Sequence, residues 1–208
     1  MTDARIEAFG DDALTARLAQ PQPVIAARAA ALRASGAFAE AVPTPGALTV
    51  VFDPGALSRE AATTLLREAM AAPVEAADAP APPFIVPVRY DGADLDRVAE
   101  HAGLTRTDVI EAHVGSRYAV AFLGFTPGFA YLDGLPCALS GVPRLSKPRL
   151  SVPQGSIGVA GARCGLYALP GPGGWPLIGR TDAALFRSGA AAPFALAPGR
   201  AVRFEPVA

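Results

Sequence analysis

The chain has 208 residues, 51% of them hydrophobic, with 18 Lys and Arg against 19 Asp and Glu, a net charge of −1 and a pI near 6.1. That apolar share supports one domain or two small ones, while the near-neutral balance, without a basic run, excludes the usual footprint of a nucleic-acid binder. Two cysteines, Cys137 and Cys164, make no disulfide framework or metal cluster, no segment approaches the ~18 apolar residues of a membrane span, and the acid-punctuated start MTDARIEAFGDD lacks a secretory core, so a cytoplasmic protein with neither nucleic-acid nor membrane partners is expected.

Arg5 to Phe9 alternates as a strand, Gly10-Asp11-Asp12 turns, and Ala13 to Leu18 returns. Pro21-Gln22-Pro23 opens a helix from Val24 to Ser35, stopped by Gly36. Strands follow at Phe38–Val42 and Leu48–Phe52. Ser58 caps a helix to about Met70, with Ala62, Leu65, Leu66 and Ala69 on one face. After a proline-rich spacer, Ala71 to Pro83, the segment Phe84–Tyr90 alternates as a strand. The order β, α, β, β, α, β over residues 1–90 implies a split βαβ, ferredoxin-like layer. It holds no cluster of His, Cys or paired acids, and its preferred reading is a structural or interface domain.

Asp94 reads as the N-cap of a helix ending at Gly103. Thr105-Arg106-Thr107-Asp108 is a capping box that opens a second helix to about His113. Arg117–Leu123 is a strand, and Ala201–Phe204 closes the chain as another.

Between them, Gly124 to Thr181 holds 20 of the chain's 42 Gly and Pro residues in 58 positions. Short apolar runs at Ser156–Ala160, Leu166–Leu169 and Pro176–Gly179 lie between these breakers. They imply short strands of a closed or nearly closed β structure over residues 91–208. The segment carries five cations, Arg144, Lys147, Arg149, Arg163 and Arg180, against the single acid Asp133. Glycine-lined turns with arginine forks suit a small anionic substrate; arginines that are solvated or paired elsewhere fit the composition equally well.

Standard machinery is missing from the pattern. Gly155 to Gly161 has Gly every third residue but no following Lys-Ser/Thr and not the dinucleotide spacing. His113 is a structural histidine or a proton-transfer group, and His101 is solvated. Cys164 beside Arg163 is either activated or a small core residue. Phe125, Phe129, Tyr131 and Trp175 form either an aromatic pocket wall or a hydrophobic plug. The residues imply a binding surface without acid–base equipment of its own, complete in itself or half of a composite site.

Four motifs in order carry a resemblance. They are Gly124-Phe125-Thr126-Pro127-Gly128-Phe129-Ala130-Tyr131-Leu132, Pro143 to Arg149 (PRLSKPR), Val152-Pro153-Gln154-Gly155-Ser156 continuing to Gly161, and Pro172-Gly173-Gly174-Trp175 continuing to Arg180-Thr181. The chain resembles the family of the 5-oxoprolinase B subunit, also described as allophanate hydrolase subunit 1, which includes the histidine-kinase inhibitor KipI and is related to part of the urea carboxylase carboxyltransferase domain. The resemblance implies an α+β chain with a ferredoxin-like N-terminal domain (1–90) and a cyclophilin-like β-barrel domain (91–208). It implies opening of 5-oxoproline to glutamate with ATP, shared with a homologous C subunit and a separate A subunit. On that reading Arg144, Arg149 and Arg180 hold a carboxylate or phosphorylated intermediate, with Arg149 and His113 as the catalytic candidates. The turns at Gly155–Gly161 and Gly173–Gly174 offer backbone N–H groups to an oxyanion, and Phe125, Pro127, Gly128, Tyr131, Gln154, Ser156, Arg163 and Trp175 complete the expected site. Arg163-Cys164 stands where the family usually has Gln-Thr, and Gly171 where it has Ser. The competing functions are a histidine-kinase regulator and a component of an allophanate hydrolase or urea carboxylase-type system.

Overall fold

The computed structural model describes residues 4–73 and 82–207. They fall into two compact units, Met1–Pro80 and Ala81–Ala208. The expected spacer at Ala71–Pro83 lies mostly outside the described residues.

In the first unit β1 (Arg5–Ala8) and β2 (Ala13–Arg17) form a hairpin, α1 (Gln22–Ser35) follows, then the hairpin β3 (Glu40–Thr44) and β4 (Ala47–Val51), then α2 (Arg59–Ala71). The sheet order is β1-β2-β4-β3, antiparallel throughout. Local chemistry places the helix ends. Gly36 takes φ 67° and returns its N–H to the Arg33 carbonyl, and the Ser58 side chain accepts from the Ala61 N–H. Ile25, Ala29 and Leu32 of α1 and Ala62, Leu66 and Met70 of α2 bury against Leu14, Leu48 and Val50 of the sheet. Leu65, expected on the buried face of α2, is exposed.

The second unit begins with β5 (Phe84–Val88), and here the expected domain division is corrected. Phe84–Tyr90 is not the last strand of the first layer, whose outer position is taken by β1. Instead β5 pairs in parallel with β13 (Ala201–Pro206), Phe84 opposite Val202 through Val88 opposite Pro206. Pro87, without an N–H, sits on this outermost strand of the order. Helices α3 (Leu95–Ala102) and α4 (Arg106–Val114) follow, then β6 (Tyr118–Leu123), β7 (Ala130–Asp133), β8 (Arg149–Val152), β9 (Ser156–Ala160), β10 (Arg163–Leu166), β11 (Gly171–Gly173) and β12 (Leu177–Arg180). Gly103 (φ 66°) ends α3, and Thr105 with Asp108 forms a reciprocal capping box on α4.

Seven strands run in the order β12-β9-β10-β7-β6-β13-β5, and β8 pairs with β11 separately. The long sheet is nearly closed. Arg89, just beyond β5, exchanges two 2.9 Å backbone hydrogen bonds with Arg180 at the end of β12. Val86, Val88, Val98, Val109, Leu132, Ile157, Val159, Leu166, Ile178 and Phe204 fill the interior. The strand expected at Leu166–Leu169 lies a few residues earlier, as β10. β7, β8 and β11 are strands that the sequence pattern does not mark; each is only three or four residues long, and β11 is itself Gly-Pro-Gly.

Candidate functional site

Alternation along the strands separates two faces. Ala130, Leu132, Cys164, Leu166, Ile157 and Val159 belong to the barrel core. Tyr131, Gly165 and Gly158 stand opposite one another across β7, β10 and β9 and so share the outer face. The two glycines open a trough there. A Cβ on Gly165 would lie 2.8 Å from Phe129 Cζ and 3.0 Å from Trp175 Cζ3, and one on Gly158 would lie 2.9 Å from Trp175 Cβ. The aromatic rings therefore rest directly on the sheet backbone.

Phe129 meets Tyr131, Tyr167 and Trp175 at ring-centroid distances of 4.7, 4.8 and 6.1 Å. With Phe125, Arg144, Leu145, Pro148, Pro172, Gly173 and Gly174 these rings line a cavity of about 250 Å³. The loop before β8 is pinned over it by the Leu145 N–H donating to the Gly174 carbonyl at 2.7 Å. A second, shallower depression of about 590 Å³ adjoins it, lined by Phe122, Gly141, Pro143, Gly161 and Arg163, and shares Tyr131, Arg144 and Trp175 with the first.

Arg144 is the cation of the first cavity. Its guanidinium carbon lies 5.8 Å from the Trp175 ring centroid, and among the described residues it makes no ion pair. Burial raises the Tyr131 hydroxyl above its ordinary pKa, and Arg144 and Arg163 oppose that shift by favouring the phenolate. No lining residue of either depression carries a carboxylate, imidazole or thiol. This wall can therefore bind and orient an anion but offers no strong general base.

Phe125 has an unusual backbone. It has φ 68°, the only positive φ outside glycine among the described residues. The Thr126 N–H donates to the Gly124 carbonyl at 2.8 Å, so Phe125 is the central residue of a γ-turn of the strained, positive-φ kind. The residue is 60% exposed, and its ring meets Phe129 edge-on at 5.6 Å.

Other expected site residues lie elsewhere. Arg149 is fastened to Asp94, with Nη2 donating to Oδ1 at 2.9 Å and Nη1 2.8 Å from Oδ2. The same buried carboxylate accepts the Leu177 N–H at 2.7 Å. Asp94 makes no side-chain cap on α3; it is spent on holding β8 and β12 together. Arg180 pairs with Asp91 at 2.8 Å and Arg163 with Asp133 at 2.9 Å. Arg163 also lies 5.4 Å from the Phe122 ring, in the shallow depression. Arg149 and Arg180 line neither depression, which matches the paired alternative left open by the composition.

His113 is fully buried in the barrel core. Its Nδ1 lies 2.8 Å from the Tyr90 hydroxyl, its Nε2 3.5 Å from Cys164 Sγ, and its ring 4.3 Å from Phe204. Burial drives the imidazole down to about 3 and pushes the Cys164 thiol up. Neither reaches the cavity, so the placement supports the structural readings of both. Cys164 faces the core rather than a pocket wall, and a Cβ at Gly171 would meet nothing. The backbone of Gly155–Gly161 is consumed by β9's pairing with β10 and β12 and by turn bonds, leaving no row of free N–H groups for an oxyanion. Gln154 is exposed outside the cavity, and Ser156 Oγ donates to the Pro153 carbonyl. Gly128 (φ 77°) packs against Phe186 and Ala168, and Pro127 lies in the turn that carries Phe125. Tyr167, Leu145, Pro148 and Pro172 are the lining residues of the first cavity that the sequence reading did not single out. A tyrosine flanked by the strand glycines and the Gly173-Gly174 pair is the signal that could have found Tyr167; Leu145 offered none.

A family model for the carboxyltransferase domain, subdomains C and D, matches residues 4–196. The chain belongs to that family. It is 49% identical over 124 residues to the 5-oxoprolinase B subunit of Escherichia coli O157:H7, a match covering 58% of this chain and 56% of the relative. The chain thus spans little more than half the length of that relative. It is 29% identical over 125 residues to the urea amidolyase of Saccharomyces cerevisiae, covering 55% of this chain and 6% of that much longer protein. Among solved structures, TTHA0988 superposes with a TM-score of 0.83 at 37% identity, covering 94% of this chain and 40% of that one.

Proposed function

We propose that this chain acts as the B subunit of an ATP-dependent 5-oxoprolinase, which opens the lactam of 5-oxoproline to glutamate together with a homologous C subunit and a separate A subunit. The observation that carries the reading is the Arg144 guanidinium, without an ion pair among the described residues, at a compact aromatic cavity. It matches the carboxylate of a small cyclic acid, whose flat ring is suited to the Phe129, Tyr167 and Trp175 faces. The likeness to the E. coli protein supports the same substrate. The absence of a base among the lining residues fits a composite site in which a partner supplies the proton transfer and ATP is bound largely outside this chain.

The chain order around the sheet β1-β2-β4-β3 supports a ferredoxin-like reading of the first unit, and the nearly closed sheet supports a cyclophilin-like barrel in the second. The match to urea amidolyase favours a second reading, in which the cavity receives a urea-derived acid such as allophanate. Glutamate formation from 5-oxoproline and ATP by the A and C subunits of the same organism, with and without this chain, tests the proposal. Glutamate that appears only with the chain supports it; formation independent of the chain overturns it, and turnover of allophanate in its place selects the second reading.

A further inference from the structure

Phe125 combines three properties that ordinary packing does not reconcile. It holds a left-handed backbone that L side chains avoid. The residue is 60% exposed. It also forms part of the wall of the aromatic cavity. A bulky residue in a strained conformation persists only where surrounding contacts over-determine it, and a residue this exposed receives few such contacts from its own chain. The turn itself is firmly placed. Gly124 N–H donates to Phe129 carbonyl at 3.2 Å, Phe129 N–H to Thr126 carbonyl at 3.0 Å, and Gly128 packs too tightly against Phe186 and Ala168 to accept a side chain. The chain is thus pinned on both sides of Phe125, and the one residue that would relax the turn, glycine, is absent there although glycine stands at positions 124 and 128.

We infer that Phe125 is a substrate-positioning residue: the strained turn holds its ring at the cavity wall so that it closes against the apolar edge of the bound cyclic acid while Arg144 takes the carboxylate. This rests on the function proposed above. The strain of the turn is offset when a ligand packs against the exposed ring. The ring and the guanidinium then divide the work. Arg144 selects the charge, and Phe125 selects a compact apolar ring over an open-chain acid of equal charge.

Two variants separate ring from strain. Phe125→Ala removes the ring and keeps a Cβ in the left-handed turn; Phe125→Gly removes both. In the assembled enzyme, read by glutamate formation, both should raise the KM for 5-oxoproline about tenfold while kcat changes less, because the ring orients the substrate rather than reacting with it. In the isolated chain without ligand, Phe125→Gly should unfold about 3 °C above Phe125→Ala, although glycine ordinarily lowers stability through the unfolded chain. A KM unchanged in both variants overturns the positioning role, as does loss of complex assembly at unchanged KM, which would make Phe125 a partner contact. Phe125→Ala melting at or above Phe125→Gly overturns the strain. A parent enzyme without chain-dependent glutamate formation would sink the function proposal and the substrate assigned to Phe125 with it, and the melting order, which needs no ligand, still decides whether the turn is strained.

Discussion

Asp94 is the residue whose loss should be felt most in the second unit. Its side chain is only 9% exposed and serves two partners at once, the Leu177 N–H and the Arg149 guanidinium. Asp94→Ala leaves a buried N–H unpaired, at a cost of about 1–3 kcal/mol. It also strands Arg149. Breaking a fully buried ion pair costs about 3–5 kcal/mol, but the Arg149 side chain is 30% exposed, so water recovers much of that and about 1–2 kcal/mol remains. The sum, about 3 kcal/mol, is a large part of the net stability of an ordinary domain. Asp94→Asn keeps one acceptor and should cost about half as much. Trp175 is the single tryptophan of the chain and belongs to this unit, so its fluorescence during urea unfolding reports the relevant transition. A slope of about 1–3 kcal/mol per molar urea turns the loss into a midpoint drop of about 1 M or more. The cycle with Arg149→Ala should show strong non-additivity, since the partners touch. Additive losses, or a loss below about 1 kcal/mol for Asp94→Ala, would refute the assignment of Arg149 to the scaffold. An Arg149→Ala enzyme that folds normally but has no turnover would return it to the reaction.

Arg144→Ala should leave the unfolding midpoint nearly unchanged, because the guanidinium has no ion-pair partner to strand among the described residues. It should forfeit the about 1.5–3 kcal/mol of a hydrogen bond to charge, read as a tenfold to hundredfold rise in KM for 5-oxoproline; a lowered midpoint with unchanged KM would remove it from the site. Gly165→Ala places a methyl against Phe129 and Trp175 and should cost about 1–3 kcal/mol by overpacking, with a shifted Trp175 emission; an unaltered spectrum and stability would mean the rings do not lie on that strand. His113 sets an acid limit. Its folded pKa of about 3 lies below the ordinary 6.5, so between these values the unfolded chain binds the extra proton. Stability from this group is complete above about 6.5 and falls as pH drops, by up to ~1.4 kcal/mol per pH unit. His113→Gln should flatten that part of the stability–pH curve, and parallel curves for variant and parent would refute the buried neutral imidazole.

What the sequence made legible follows from which interactions are local. Ser58, Thr105 with Asp108, Gly36 and Gly103 mark helix ends because a cap is satisfied within four residues, and the structure uses each as its pattern implies. Asp94 has the same local appearance and does something else, since its carboxylate is claimed by Arg149 and Leu177, 55 and 83 positions away. Phe84–Tyr90 was recognisable as a strand, but its partner lies at the far end of the chain, and no periodicity encodes that choice. The aromatic wall was visible as a set of ring residues; that Tyr131 and Trp175 share one face depends on Gly158 and Gly165 standing in register across three strands. The arginines were visible as charge, yet which of them is free was decided by acids outside the Gly/Pro-rich segment, Asp91 and Asp94, together with Asp133 within it.

The pairing of β5 with β13 also sets a timetable. β5 is the first strand of its sheet to be synthesised, and the strand it pairs with along its whole length is made more than a hundred residues later. At ribosomal speeds of ~5–20 residues per second, the sequence Phe-Ile-Val-Pro-Val waits several seconds with its backbone edge bare, which is the condition under which strands recruit neighbours from other chains. Pro87, the fourth of its five residues, offers no N–H to an intruder on the edge that faces away from β13. In the finished barrel it is one more edge residue; during synthesis it removes a donor from the edge that faces away from β13, the same edge on which Arg89 later meets Arg180.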